Sequence, residues 1–337
     1  MEFFNTKKKF LSCKWLEHGI IFDYNNLIRV CCEQSHEGGG RYILQTDFDG
    51  ENIDWEDIFK QKKNQRKLQR EGKVFEKCKN CHMLEVKDWD DEDYINTLLL
   101  THWTDCNSRC IYCPAIRDDE LAKTNRHYSI ISTIKNMMKK NILKKDSQVD
   151  ISGGEALIYP EFEELLNLLL DYGIKNILIN TSGIKFSPLV ENGISAGKIK
   201  LVVSLDAGNK TTHKMIKLTD SFDVVTANLK KYAKAQNGKN DEVISKYIIL
   251  PGINDNKEEI DAWLALNREL GIKSLALDID ILWYSKNKKN IPLHIYQLLK
   301  YTKKQAKKLG FNFVFWDRAF ILRPKKLFSI KKFLKIN

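Results

Sequence analysis

"INTLLLTHWTDCNSRCIYCPA", residues 95–115, joins an apolar run to a loop that holds three cysteines within eight residues. The run from Ile95 to Trp103 reads as a buried strand. The loop begins where that strand ends, and its spacing is C-x3-C-x2-C: Cys106, Cys110 and Cys113. Downstream the chain alternates. "SQVDISGG" (147–154) reads as a second strand, and "PEFEELLNLLLDYG" (160–173) as a helix with Pro160 in its first turn and Gly173 at its stop. Phe162, Leu165, Leu166 and Leu169 fall on one face of that helix. Further strands are expected at 175–183, 198–207, 241–252 and 273–284, with a helix at 256–271 whose inward residues are Ile260, Trp263, Leu264 and Leu270. The joins "DYGIKNILI", "SAGKIKLVV", "ELGIKSLAL" and "KLGFNFVF" each read as helix, stop glycine, then strand. Repeated β-then-α units imply parallel strands, because each crossover must be long enough to return. Six such units make either an open doubly wound sheet or a partial barrel. In both, the active site lies at the strand C-termini. Here those ends read "SGGE", "NTSG", "SLDAG" and "LPGIND".

Composition excludes several classes. With 337 residues, 43% of them hydrophobic, the chain holds one large domain or two smaller ones. No apolar run approaches the ~18 residues of a membrane span. The N-terminal stretch lacks the sustained apolar segment of a secretory signal, so a cytoplasmic location is expected. Eight cysteines are too few for a disulfide scaffold of this length. In a reducing compartment, clustered thiols serve metals or redox chemistry. The net charge of +11 gathers at 60–70 and 323–336. Nucleic acid or another anionic partner fits such stretches. Lysine is abundant throughout, however, and solvated helix faces are the simpler reading. In the tail, Leu327, Ile330, Phe333 and Leu334 recur at helical spacing, which predicts a short amphipathic helix packed on the body.

A structural zinc site takes four ligands, usually as two C-x2-C pairs. Three thiolates on one short loop suit a cubane iron–sulfur cluster with one iron left open. At this point the chain resembles the radical S-adenosylmethionine (SAM) enzymes. The resemblance covers roughly residues 95 to 315 and rests on several motifs in family order. Tyr112 matches the aromatic position before the third cysteine. Gly153, Gly154 and Glu155 end the second strand, where family members recognise the methionine amino group of SAM. Asn180 and Ser204, with Asp206, fall at the ends of strands three and four, where ribose and carboxylate contacts are usual. "ILPGIND" (249–255) resembles the segment beside the adenine. The resemblance implies a partial (β/α)6 TIM-type barrel over 93–318, a [4Fe-4S] cluster on Cys106, Cys110 and Cys113, and SAM on its open iron. It also implies an electron donor such as flavodoxin or ferredoxin. Close backbone approach at the two glycines and a charge-assisted acceptor at Glu155 agree with it.

The other cysteines are Cys13, Cys31, Cys32, Cys78 and Cys81, all before the barrel. Residues 1–92 therefore read as a separate small module, and 319–337 as a basic tail. The order C-x17-C-C, a gap holding a basic helix, then C-x2-C resembles the SPASM or twitch module, which carries an auxiliary iron–sulfur cluster. In most relatives that module follows the barrel. Cys13, Cys78 and Cys81 are the expected ligands, with Cys32 or its neighbour Cys31 as the fourth. Neighbours on a strand face opposite ways, so one of the two is expected to reach the metal. His82 is expected to face solvent, and "EGGGRY" (37–42) to be a loop. The implied activity is reductive SAM cleavage and hydrogen abstraction from a peptide, protein or sugar-type substrate. The contrasting class is a non-catalytic, zinc-stabilised nucleic-acid-binding protein, which leaves the strand-end motifs without a role.

Overall fold

The computed structural model describes residues 9–24, 26–31, 43–73, 78, 81, 83–113, 128–236, 241–287 and 289–316. The expected C-terminal tail helix, His82, Cys32 and the 37–42 loop lie outside them.

Six parallel strands form the centre in chain order: β6 (Ile95–Thr101), β7 (Leu143–Ile151), β8 (Asn176–Thr181), β9 (Ile199–Ser204), β10 (Val243–Ile249) and β11 (Ser274–Ile279). The returns between them run through α3 (Ile131–Lys139), α4 (Phe162–Tyr172), α5 (Pro188–Ser195), α6 (Lys210–Lys217), α7 (Phe222–Ala235) and α8 (Lys257–Glu269). Helix α4 stops as its sequence demands, at Gly173 in the left-handed region with φ 99°. Its Phe162, Leu165, Leu166 and Leu169 are buried. After α9 (Ile281–Asn287) and α10 (Leu293–Lys308), β12 (Asn312–Phe315) adds a further parallel strand beside β11. The six-unit α/β sheet is the expected one. The sixth strand is shorter than expected. Asp280 ends it by accepting the Leu282 N–H at 2.9 Å, a side-chain cap that starts α9.

The N-terminal residues do not form a separate layer. Strand β2 (Gly19–Asp23) pairs in parallel with β6, from Gly19 opposite Thr97 to Asp23 opposite Thr101. Strands β3 (Leu27–Arg29) and β4 (Ile43–Gln45) extend it antiparallel, giving a ten-stranded sheet. An unpaired β6 edge would expose a row of backbone donors and acceptors, and β2 covers that row. Trp55, Ile58 and Phe59 of α2 (Trp55–Arg70) join the same continuous core as Leu98 and Leu100. The amino-terminal segment thus shares both the sheet and the buried core with the strands that follow residue 92. After Cys13 the one-turn helix α1 (Lys14–His18) leads into the antiparallel hairpin β2–β3. A separate two-stranded sheet pairs β1 (Phe10–Ser12) with β5 (Glu85–Lys87).

Candidate functional site

The Cys106–Cys113 loop leaves the C-terminal end of β6 and is fastened at two places. The first is the end of β7. Gly154 N–H donates to the Trp103 carbonyl at 2.7 Å, and Glu155 N–H to that of Asp105 at 2.8 Å. A Cβ on Gly154 would lie 2.2 Å from the Asp105 oxygen and 2.4 Å from that of Thr104. One on Gly153, at φ +118°, would lie 2.3 Å from the Trp103 oxygen. Both glycines are therefore required by the neighbouring backbone, apart from any ligand.

The second fastening is α6. Arg109 N–H donates to the Lys217 carbonyl at 3.1 Å, and Ile111 N–H to that of Ile216 at 3.0 Å. Ile111 and Tyr112 pack against Ile216, Ile248 and Leu250, a small core separate from the main one. Within the loop, Cys113 N–H donates to the Cys110 carbonyl at 2.9 Å. A turn of this kind brings the flanking Cα atoms within about 7 Å.

Two residues are engaged differently from the sequence expectation. Glu155 is fully buried rather than an open acceptor. Its Oε1 accepts from the Thr181 hydroxyl (2.6 Å) and Leu157 N–H (3.2 Å), and its Oε2 from Ser182 N–H (2.6 Å). It ties the end of β7 to the end of β8. Asp206, expected at the ribose or carboxylate of a ligand, is also fully buried. Its Oδ1 accepts from Ile248 N–H at 2.7 Å. Its Oδ2 accepts from the Tyr112 hydroxyl at 2.6 Å and from Lys217 Nζ. The Tyr112 hydroxyl is thereby held inside the protein, and burial first, with the Asp206 charge next, pushes its pKa well up. Asn180 and Ser204 stay half-buried. They alternate with the core residues Ile179 and Val203, and so stand on the sheet face opposite the helices.

That face is polar. Asp150, between the core residues Val149 and Ile151, accepts from Gln148 Nε2 at 2.8 Å. Burial raises its pKa. Lys246 lies opposite in direction to Ser245 and Tyr247, which pack on Trp263 of α8. Its Nζ is 3.9 Å from Asp278 Oδ2 and 5.5 Å from the Trp316 ring centre. Asp23 Oδ2 is 2.6 Å from Arg29 Nη2, and its Oδ1 accepts from the Thr101 hydroxyl at 2.8 Å. Barrel interiors are usually filled by branched apolar residues, so these charged groups depart from that pattern. Sequence reasoning missed Lys217, Lys246 and Arg29, because each is one lysine or arginine among 55.

Strand pairing brings two cysteine-bearing segments together. Pairing of Ser12 with Glu85 sets Cys13 next to the segment after Cys81. Leu84 N–H donates to the Cys81 carbonyl at 3.3 Å. Cys81 N–H donates to the Cys78 carbonyl at 3.0 Å, the same turn as in Cys110–Cys113. Cys13 caps α1, its sulfur accepting from Leu16 N–H at 3.4 Å. Behind it lies Lys62, fully buried, donating to the carbonyls of Trp15 (3.0 Å) and Gly19 (2.8 Å). Burial pushes the Lys62 pKa down to about 7, while the nearby thiols of Cys13 and Cys31 act to raise it. Arg66 is buried as well. Two positions of the basic 60–70 stretch are therefore internal struts, not solvated charges. The seven described cysteines are thiols rather than disulfides. Among the described residues, no three Cys, His, Asp or Glu side chains converge to hold a single ion. A cubane spreads its ligands over separate irons, and the soft donor sets present fit such a group. Among the described residues, no helix is long and apolar enough to cross a membrane.

Residues 100–264 match the model of the radical SAM superfamily. GTP 3',8-cyclase 1 of Mycobacterium tuberculosis is 29% identical over 136 residues, 39% of this chain and 37% of that protein. GTP 3',8-cyclase of Clostridium botulinum is 28% identical over 182 residues, 53% and 54% of the two chains. The chain thus spans between about a third and a half of these relatives. In fold it is similar to Streptococcus suis SuiB bound to the precursor peptide SuiA. There the TM-score is 0.53 and the identity 17%, over 85% of this chain and 59% of that one. It is also similar to anSMEcpe with bound AdoMet, at TM-score 0.50 and 19% identity, over 67% and 64%.

Proposed function

Since residues 100–264 carry the radical SAM superfamily domain, we propose that this chain is an enzyme that reductively cleaves SAM and abstracts hydrogen from a polar substrate. The observation that carries the reading is the Cys106–Cys113 loop, fastened at the C-terminal edge of a parallel sheet by both the Gly153–Glu155 segment and α6. Cys106, Cys110 and Cys113 hold the [4Fe-4S] cluster. When bound, the cluster supplies one electron to the sulfonium of SAM, releasing methionine and the 5′-deoxyadenosyl radical that takes a substrate hydrogen.

The protein's part is placement and exclusion of water. Gly153 and Gly154 keep the loop root close to the β7 end, and their backbone, not the Glu155 carboxylate, offers contacts to the methionine amino group. Asn180 and Ser204 stand at the neighbouring strand ends for the rest of SAM. Asp150, Gln148, Lys246 and Asp278 line the face below, which suits a peptide, protein or sugar-type substrate rich in hydrogen-bonding groups. The GTP of the cyclases' names is not carried over, because those matches are partial.

Cys13, Cys78 and Cys81, with Cys31 or Cys32, hold an auxiliary cluster that accepts the substrate electron or anchors the substrate. The β1–β5 pairing supports this set. Strand β2 separates Cys13, at its N-terminal side, from the radical loop at the C-terminal end of the parallel strand β6. Flavodoxin or ferredoxin is the proposed electron donor. The zinc-stabilised nucleic-acid-binding alternative leaves the polar strand face and the superfamily match unexplained.

The test is the triple change of Cys106, Cys110 and Cys113 to alanine in anaerobically reconstituted protein. It should remove about four irons per chain and all 5′-deoxyadenosine formation from SAM. Retained cleavage would sink the assignment.

A further inference from the structure

We propose that Asp206 and Lys217 form a positioning pair for the radical cluster, holding its loop through Tyr112 and setting the cluster's reduction potential with two opposed charges. The inference rests on ligation of the cluster by Cys106, Cys110 and Cys113.

The side chains of Asp206 and Lys217 are 0% and 2% exposed. A lone charge at that depth is strongly disfavoured, so each residue requires the other. Lys217 Nζ donates to Asp206 Oδ2 and, at 2.9 Å, to the Tyr112 oxygen. Tyr112 in turn donates to Asp206, which closes a triangle of three buried groups. The Lys217 carbonyl receives the Arg109 N–H, so the lysine grips the cysteine loop by side chain and backbone together.

The other side of the triangle is equally fixed. Asp206 has φ +60°, a conformation that only a few non-glycine residues adopt. Asn254 holds it there, its Nδ2 donating to the Asp206 and Ile248 carbonyls at 3.0 Å each. The Asn254 Oδ1 accepts from Leu250 N–H at 2.7 Å. Such over-determination around a strained residue points to a required geometry. A carboxylate that only finished strand β9 would need no buried lysine.

The pair is also electrostatically placed. Burial works against the Lys217 charge; Asp206 and then the sulfurs of Cys110 and Cys106 favour it. The lysine Nζ is hydrogen-bonded to Tyr112, which adjoins Cys113 and lies two residues from Cys110 in the loop. Solvent cannot screen the lysine charge at this depth.

Asp206→Asn, Lys217→Met, the double variant and Lys217→Arg test the proposal in the reconstituted full chain. The readout is an EPR-monitored redox titration of the signal that the Cys106→Ala variant lacks. Asp206→Asn leaves a cation beside the cluster and should raise the potential; Lys217→Met leaves an anion and should lower it. Each should change the reduced-to-oxidised ratio at fixed poise about tenfold, or 59 mV for one electron. The shifts should cancel in the double variant, and Lys217→Arg should stay near wild type. Shifts of the same sign, or none with iron retained, would overturn the proposal. If the single variants lose their iron, retention in the double variant supports it, and loss there too overturns it. A wild-type chain that binds no iron through Cys106 would instead refute the parent assignment.

Discussion

Changing Glu155 to glutamine separates a carboxylate that serves the protein from one that serves a ligand. Glu155 accepts from Thr181, Leu157 and Ser182 while fully buried. Glutamine has one acceptor oxygen. Turned toward Thr181 and Leu157, it keeps those two bonds and places its NH2 against the Ser182 N–H, donor to donor. The loss is one charge-assisted hydrogen bond, about 1.5–3 kcal/mol, and a stranded buried donor, about 1–3 kcal/mol. These overlap, so we expect a net cost of about 2–4 kcal/mol. Urea unfolding of the cluster-free protein without SAM, followed by circular dichroism at pH 7, reads that cost directly. SAM affinity should fall only as the Ser182 segment loosens. If Glu155→Gln unfolds at the wild-type urea concentration and yet binds SAM more weakly, the carboxylate contacts the ligand and the reasoning fails.

Three further outcomes are expected. Gly154→Ala should lower stability by more than about 3 kcal/mol, since its Cβ would meet two fixed carbonyl oxygens; an unchanged melting temperature would contradict the close approach. His213 is buried against Phe222, and burial, with Lys217 second, holds its pKa down at about 4. The unfolded chain takes that proton near 6.5, so stability present above pH 6.5 is lost as pH falls toward 4, by about 3 kcal/mol in all. His213→Phe should flatten that part of the pH dependence relative to wild type, and parallel curves would refute it. Changing both Cys78 and Cys81 to serine should lower iron from about eight to about four per chain while SAM cleavage continues and substrate turnover stops. Zinc in the wild-type module, or full turnover in the variant, would remove the electron-acceptor role.

The sequence alone determined whatever depends on neighbours along the chain. The strand–cysteine-loop junction at 95–113, the stop at Gly173 and the β-then-α rhythm are local patterns, and local patterns fix the hydrogen-bonding period and the turns. They sufficed for the parallel sheet and for proposing the three-thiol site. Tertiary structure decided what depends on partners far apart. Nothing near residue 20 announces that β2 will pair with β6, because an edge strand's register is set by the strand it meets. The Glu155 and Asp206 carboxylates looked like open acceptors beside glycines, and only the fold shows that Ser182, Tyr112 and Lys217 come from other segments to occupy them. Lys62 and Arg66 read as surface charges because a lysine's burial is invisible until the carbonyls of α1 close over it. A buried charge is stable only where several segments supply its partners at once, and no single stretch of sequence contains that information.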